Sequence, residues 1–208
     1  MVAVSLKKKR TIRWEKECLN IHKNKKQALF AIVQGSIFPE LRKYCADALV
    51  DLDFPGYAIG GVSVGEGLEL LKRVLDMTTK YLPENKPRYL MGVGLPEDIL
   101  ESVERGIDMF DCIIPTRYAR GGTLFTNRGK IRISNRKYRR DFFPIEPNCK
   151  CYTCLNFSRA YLHHLITSNE ITGTILASLH NVSWFLQFME KIRKSIEEKR
   201  FSSFKVDF

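Results

Sequence analysis

The chain has 208 residues, of which 44% are hydrophobic, and its formal net charge is +11 at pH 7. This length suits one large domain or one and a half small ones, and the apolar fraction is ample for a packed core. No apolar run approaches the ~18–20 residues that span a bilayer, and the charged first ten residues lack the apolar stretch of a secretory signal. We therefore expect a cytoplasmic protein with reduced cysteines and no membrane segment.

The first part of the chain repeats one pattern, a short apolar run with a polar or glycine-rich end followed by an amphipathic helix. Strands that are hydrophobic on both faces and alternate with helices indicate a parallel sheet covered by helices, and so an α/β fold. The predicted order is strand 28–34, helix 38–52, strand 54–61, helix 67–81, strand 88–94, helix 96–105 and strand 108–115.

Four strand–helix units fill only half of a (βα)₈ barrel, which takes about 250 residues. Half a barrel leaves two strand edges unpaired, which is an aggregation hazard. Either the chain forms a smaller doubly wound sheet, or it is the C-terminal part of a longer protein. In a barrel, the carboxyl ends of the strands assemble the active site.

A strongly basic stretch follows the fourth predicted strand. Residues 112–140 contain no acidic side chain, and Tyr118, Phe125 and Tyr138 are interleaved with the cations. Cations that meet phosphates beside aromatic rings that stack on bases are typical of a nucleic-acid surface. A solvated basic face is the alternative. The basic residues are Arg117, Arg120, Arg128, Lys130, Arg132, Arg136, Lys137, Arg139 and Arg140.

Beyond the basic stretch, three cysteines within six residues and a histidine farther on predict a metal site. These residues are Cys149, Cys151, Cys154 and His180. A tetrahedral zinc accepts three thiolates and one imidazole, and such a closed site is structural, because no coordination position stays open. Buried structural cysteines are the alternative, and His163 or His164 competes as the fourth ligand.

Helices are predicted through the rest of the chain. One spans residues 158–168, a second ends near His180, and a third runs from about Val182 to Lys199. In this interpretation His180 lies just before an apolar periodic stretch, so the end of a helix would deliver it to the metal.

Asp111 is the candidate catalytic carboxylate, because it lies at the apolar end of a predicted buried strand. A carboxylate there is costly unless it is paired or used. Asp111 could attack C1′ of a sugar as a nucleophile. The alternative is a buried aspartate satisfied by Arg105 or by a backbone amide, and Asp108 is expected to be structural. Arg117 and Arg120, just beyond, are placed to grip phosphate or a base edge.

From about residue 10 to residue 208 the sequence resembles the bacterial tRNA-guanine transglycosylases (queuine tRNA-ribosyltransferases). The resemblance rests on residues 34–35, 60–66, 89–94 and 108–117 and on the cysteine–histidine set. It implies a zinc-containing (βα)₈ barrel. The family exchanges the wobble guanine of certain tRNAs for a 7-deazaguanine, which is a step toward queuosine.

The resemblance also implies a role for individual residues. Asp111 matches the nucleophile that holds the tRNA covalently through the ribose. Gln34, the Gly61 backbone and Met91 match groups that contact the base, and Glu66 matches a carboxylate that orients the peptide facing the 7-substituent. Arg117 and Arg120 match contacts to a tRNA with a GUN anticodon. The metal ligands would be Cys149, Cys151, Cys154 and His180, which would hold a structural zinc.

In this interpretation residues 1–117 form the C-terminal half of the barrel. Residues 118–208 then form the basic stretch, an inserted zinc-binding subdomain and the C-terminal helices. The family's N-terminal half, with its general acid/base aspartate, has no counterpart here, so we expect the 208-residue chain to be inactive alone. The alternative is a non-catalytic zinc-containing remnant that binds tRNA or other RNA.

Two further expectations concern ligand preference and assembly. Val64 is bulky where queuine-using relatives tend to have glycine, so 7-aminomethyl-7-deazaguanine is favoured over queuine. The family tends to form homodimers through the zinc subdomain, and Phe157, Tyr161 and His164 would lie on an exposed helix face there. Alternatively, Phe157 and Tyr161 pack on the zinc loop.

Overall fold

The computed structural model describes residues 2–61 and 67–208, with the side chains of residues 2–8 left aside. The chain divides into two compact units, Met1–Cys112 and Ile113–Phe208. We call them the N-terminal and C-terminal units. The sequence-based division after Arg117 falls inside a helix of the C-terminal unit, Ile114–Arg120.

The N-terminal unit alternates helices and strands. Its elements are α1 Val2–Ile21, β1 Phe30–Val33, α2 Pro39–Val50, β2 Gly56–Ile59, α3 Leu68–Asp76, a 3₁₀ turn Thr79–Tyr81, β3 Arg88–Leu90, α4 Pro96–Glu104 and β4 Met109–Phe110. The predicted strands and the helices between them are all present, with shorter bounds.

The four strands form one parallel sheet in the order β1–β2–β3–β4. Phe30 lies opposite Gly56 in the first pair, and Tyr57 lies opposite Arg88 in the second. Every residue of β2 is buried, as expected for an inner strand covered on both faces. Helices α2 and α3 supply the rest of the core with Leu49 and Leu75, each fully buried. The predicted mixed α/β fold with a parallel sheet is confirmed.

Helix α1 was not predicted. Its apolar residues are sparse, and the contacts that hold it are tertiary. Ile12 and Leu19 pack against the core, and Glu15 Oε1 accepts a hydrogen bond from the backbone N–H of Ile32 at 3.0 Å. This contact satisfies a backbone donor of β1.

The C-terminal unit contains a β-hairpin and five helices among its residues 113–208. Its elements are α5 Ile114–Arg120, β5 Thr123–Thr126, β6 Gly129–Arg132, a 3₁₀ turn Arg136–Tyr138, α6 Tyr152–Asn156, α7 Arg159–Thr167, α8 Ile171–Glu197 and α9 Phe201–Asp207. None of the helices described in residues 2–61 and 67–208 is long and apolar enough to cross a membrane.

Two predictions for this part of the chain are wrong. The predicted strand 108–115 ends at Phe110, because Pro115 lies in the first turn of α5, where its missing N–H costs nothing. The predicted break near His180 is absent, since α8 runs through it without interruption. Asn181, directly after His180, caps no helix and bonds to β5 and α5 through its side chain.

Candidate metal centre and active site

Three cysteines and one histidine of the C-terminal unit converge on one buried point. The residues are Cys149, Cys151, Cys154 and His180, and their ligand atoms lie within 4.8 Å of one another. The three Sγ atoms lie 4.0, 3.6 and 3.3 Å from Nδ1 of His180. For zinc–sulfur bonds of about 2.3 Å and a zinc–nitrogen bond of about 2.0 Å, tetrahedral ligands stand roughly 3.5 to 3.8 Å apart. The four atoms therefore fit a tetrahedral metal ion.

The tautomer of His180 suits ligation through Nδ1. Its Nε2 lies 2.8 Å from the carbonyl oxygen of Phe125, to which it can only donate. Nδ1 then carries no proton, and its lone pair points toward the sulfurs. Histidine ligands in metal proteins are commonly oriented in this way, by a hydrogen bond from the other ring nitrogen to a carbonyl oxygen. Burial also lowers the pKa of His180, so the neutral, ligating form is favoured.

Two thiols of the cluster, those of Cys151 and Cys154, resist ionisation because they are buried. Burial raises the pKa of both, and for Cys154 the neighbouring Cys149 and Cys151 raise it further. Three thiolates in such a site require a positive charge among them, which a metal ion supplies. All six cysteines of the chain are free thiols, so no disulfide competes for these sulfurs.

The competing histidines lie outside the cluster. His163 is half-buried on α7, and its Nδ1 lies 2.9 Å from the carbonyl oxygen of Ile133. His164 is exposed. The position of His180 was predicted at a helix end, whereas it lies buried in the interior of α8.

In the N-terminal unit, the candidate site residues follow the carboxyl ends of the parallel strands. Gln34 follows β1, Gly61 lies just beyond β2, Met91 follows β3 and Asp111 follows β4. Gln34 and Gly61 are adjacent, because a Cβ built on Gly61 would lie 2.9 Å from Gln34 Oε1. Glu66 and Val64 lie outside the described residues.

Asp111 is exposed, although the sequence analysis expected a buried carboxylate. The reason is that β4 ends at Phe110, so Asp111 is beyond the sheet. Its Oδ1 accepts hydrogen bonds from the Tyr89 hydroxyl at 2.7 Å and from the Gly92 N–H at 2.6 Å. These two donors fix the direction of the carboxylate.

Of the alternatives considered for Asp111, the backbone amide is present as Gly92 and Arg105 is not a partner. Arg105 instead pairs with Asp76 and Glu101. Asp108 has the structural contact expected of it, since its Oδ2 accepts from the backbone N–H of Arg88 at 2.8 Å.

Tyr89 was missed by sequence reasoning. The hydrogen bond to Asp111, followed by burial and the negative charge of Asp111, raises the pKa of Tyr89 to about 12. The only signal in the sequence is its place two residues before Met91, on a strand that ends beside Asp111.

The cations of residues 112–140 lie at the surface of the C-terminal unit. All nine are exposed: Arg117, Arg120, Arg128, Lys130, Arg132, Arg136, Lys137, Arg139 and Arg140. The prediction that interleaved aromatics stack on bases is wrong for Phe125 and Tyr138, which are 2% and 6% exposed. Tyr118 is half-buried and stacks on Phe125 with ring centroids 5.6 Å apart.

Fold and site together define the class. The protein is an α/β protein whose parallel sheet places polar groups at the carboxyl ends of its strands, and it also carries a buried cysteine–histidine metal cluster and an exposed basic surface. The family described as queuine tRNA-ribosyltransferase matches residues 3–208. The chain belongs to this family.

Three relatives, each named Queuine tRNA-ribosyltransferase, illustrate the likeness. The one from Thermoanaerobacter sp. (strain X514) is 53% identical over 199 residues, which are 95% of this chain and 53% of the relative. For Caldanaerobacter subterraneus subsp. tengcongensis the identity is 54% over 199 residues, with the same coverage of 95% and 53%. For Lysinibacillus sphaericus (strain C3-41) it is 52% over 200 residues, 96% of this chain and 52% of the relative. The chain spans about half the length of these relatives.

The metal cluster makes a prediction that separates the candidate histidines. His180→Ala should abolish equimolar metal binding and lower the melting temperature of the C-terminal unit, because three buried thiols lose the cation and the ring that links them to β5. His163→Ala, the matched control, should retain one metal per chain. For each variant, elemental analysis measures the metal content and circular dichroism measures the melting temperature. Retention of metal by His180→Ala with its loss in His163→Ala would assign the ligand to His163.

The Asp111–Tyr89 contact predicts an unusual tyrosine titration. The Tyr89 phenol should ionise near pH 12, since its hydrogen bond to Asp111 retains the proton, and burial and the charge of Asp111 add to the effect. Asp111→Asn should lower the pKa of Tyr89 toward its usual value of about 10. The Tyr89 ring resonance followed by NMR against pH measures this shift. An unchanged titration in Asp111→Asn would show that the two side chains are not in contact.

Proposed function

We propose that this chain forms the C-terminal half of a (βα)₈ barrel in a tRNA-guanine transglycosylase, with an inserted zinc-binding subdomain. The observation that carries the proposal is Asp111, exposed at the end of β4 and oriented by Tyr89 and Gly92. The sheet order supports the barrel, because strands that neighbour one another in chain order belong to a barrel, whereas a doubly wound sheet reverses its order. We use "full-length enzyme" for this chain together with the half that completes the barrel.

In this proposal Asp111 is the nucleophile. A carboxylate oxygen forms a bond to C1′ of the wobble nucleotide while the glycosidic bond breaks and its electron pair leaves with guanine. The nitrogen of the incoming 7-deazaguanine then attacks C1′ and releases Asp111. The donors Tyr89 and Gly92 keep the attacking carboxylate pointed along one direction. The general acid and base that serve the two bases belong to the other half of the barrel.

The base would lie at the ends of β1, β2 and β3. Gln34 and the Gly61 N–H are placed to read its pyrimidine edge, and Met91 to flank it. Glu66 would orient the peptide that faces the 7-substituent. The bulk of Val64 favours 7-aminomethyl-7-deazaguanine over queuine, and competition of the two bases in the full-length enzyme tests this preference.

The C-terminal unit would hold the tRNA. Arg117 and Arg120, both exposed on α5, would contact a GUN anticodon, and the other exposed cations would meet the phosphate backbone. A structural zinc held by the four residues of the cluster would fix the loop that carries the cysteines. Reduced thiols and a tRNA substrate agree with action in the cytoplasm.

A second candidate is a non-catalytic tRNA- or RNA-binding remnant. It is favoured by one observation, that the exposed cations and the metal cluster lie in the same compact unit, residues 113–208. The reading frame upstream of residue 1 separates the candidates. A continuous frame that encodes the remaining strands supports the enzyme, whereas an isolated start codon supports the remnant.

Replacement of the nucleophile tests the proposed chemistry. In the full-length enzyme, Asp111→Asn should reduce guanine exchange by roughly 10³-fold or more and abolish the covalent tRNA adduct on a denaturing gel. Binding of tRNA should stay within about threefold, because only the reacting group is lost. Asp108→Asn, the matched control, should retain both exchange and adduct. An adduct in Asp111→Asn would assign the nucleophile elsewhere.

The same assay applies to the 208-residue chain alone. We expect no incorporation of labelled guanine into tRNA, since the general acid and base are absent. Measured exchange by this chain alone would contradict the half-barrel proposal.

We also propose a homodimer through α7. Tyr161 is 42% exposed and His164 is exposed, while Phe157 is half-buried against the core of the C-terminal unit. Phe157 and Tyr161 stack with ring centroids 5.3 Å apart. Near them Phe142 and Leu155 line an open groove, so the apolar surface extends beyond α7.

A substitution on this surface separates the dimer from local packing. Tyr161→Ala in the full-length enzyme should shift sedimentation toward the monomer while metal content stays at one per chain, because the ring lies outside the cluster. His163→Ala, on the same helix but half-buried, is the control that should leave the dimer unchanged. Loss of metal with unchanged sedimentation would show that Tyr161 serves only to pack the metal loop.

A further inference from the structure

Arg42 is a charged side chain in the core of the N-terminal unit. It lies on α2, and it is 0% exposed. Its Nε donates to the carbonyl oxygen of Ser36 at 2.5 Å, and its Nη2 donates to the carbonyl oxygen of Gly60 at 3.1 Å. A buried cation is tolerated only where such acceptors are fixed around it, so Arg42 and these two carbonyls form one rigid arrangement.

The two acceptors lie beyond the ends of neighbouring strands, next to the residues proposed to read the base. Ser36 is two residues after Gln34, and Gly60 directly precedes Gly61. The carbonyl of Gly60 and the N–H of Gly61 belong to the same peptide unit. Because that unit is planar and trans, its C=O and N–H point in opposite directions. A hydrogen bond that fixes the Gly60 oxygen therefore fixes the direction of the Gly61 N–H.

The backbone at Gly61 needs this support. Its φ of +70° lies in the left-handed region, which glycine enters freely, so the chain alone does not select one orientation of the peptide. The guanidinium selects it from inside the core. A charge-assisted hydrogen bond to the carbonyl also polarises the peptide and makes the N–H a better donor to a ligand.

The Ser36 contact fixes the turn after Gln34 in the same way. Ser36 has φ of +52°, an unfavourable value for a residue with a side chain, and Arg42 holds its carbonyl. The turn passes so close to α2 that a Cβ on Gly35 would lie 2.6 Å from Arg42 Cγ. The Gln34 amide lies over the Gly60–Gly61 peptide, since a Cβ on Gly60 would meet Gln34 Nε2 at 2.5 Å.

From these contacts we infer that Arg42 is a positioning residue for base recognition, which orients the Gly61 N–H and the Gln34 turn as one unit. The inference rests on the proposed function of Gln34 and Gly61. It predicts that loss of either hydrogen bond weakens base binding while the chemistry at Asp111 is unaffected.

The test compares two buried arginines. Arg42→Lys keeps the charge but cannot reach both carbonyls, and Arg42→Met removes both hydrogen bonds. The matched control is Arg88→Lys. Arg88 is also buried and donates to two carbonyl oxygens, those of Pro83 and Leu82. Arg88 lies at the start of β3, away from Gly61. The Arg88→Lys variant therefore shows what the loss of a buried guanidinium does in general, apart from any effect on Gly61.

The first measurement uses the 208-residue chain and NMR. The amide proton of Gly61 should shift upfield in Arg42→Lys and farther in Arg42→Met, because the Gly60 carbonyl is no longer polarised. Arg88→Lys should leave that resonance unchanged. If Arg88→Lys shifts Gly61 as much as Arg42→Lys does, the role of Arg42 is structural only and the inference fails.

The second measurement is kinetic, in the full-length enzyme. Arg42→Lys should raise KM for the base by about tenfold while kcat falls less than about threefold, since a contact made equally in the ground and transition states is lost. Arg88→Lys should change KM less than about twofold. Equal changes in both variants would overturn the inference. An unsubstituted enzyme that exchanges no base would overturn the proposed function instead, and the NMR comparison would still decide the role of Arg42.

Discussion

The C-terminal unit depends on the two ring nitrogens of His180. Nε2 donates to the carbonyl of Phe125 in β5, and Nδ1 faces three sulfurs, two from the loop before α6 and that of Cys154 from α6 itself. The next residue, Asn181, accepts from the N–H of the same Phe125, so adjacent side chains of α8 satisfy both backbone groups of one strand residue. Phe125 lies opposite Lys130 in the hairpin, and its own polar groups are turned to α8. A metal ion held by these four ligands would therefore join the hairpin, the cysteine segment and the long helix.

In the N-terminal unit, the placement of the candidate site residues depends on the common direction of the strands. Parallel strands bring all their carboxyl ends to one edge, so residues far apart in the chain become neighbours there. Asp111 meets a hydroxyl from β3 and an N–H just beyond that strand, while Gln34 meets the backbone beyond β2. Arg42 adds a support from within the core. Asp111 at this edge is exposed, and the groups that orient its carboxylate come from β3 and the turn after it.

Several features were predicted because they depend on chain order and local chemistry. The apolar runs with glycine-rich ends predicted the parallel sheet, and the close spacing of three cysteines predicted a metal site. Other features depended on partners remote in sequence. Helix α1 was missed since Glu15 and Ile12 hold it through contacts with the sheet and core. The prediction of a strand through residue 115 was wrong, because Pro115 suits a helix start as readily as a strand end.

By itself, the sequence determined the kind of chemistry available: thiols and imidazole for a metal, a carboxylate after a strand, and a basic stretch free of acids. Residue type and local spacing are sufficient for that. Only the tertiary structure decided which histidine joins the sulfurs, that Phe125 and Tyr138 are core residues, and that Asp111 is exposed with Tyr89 as its partner. These choices depend on which elements pack together. A buried arginine that holds two strand ends leaves no pattern in sequence, because its acceptors are backbone carbonyls, which every residue carries.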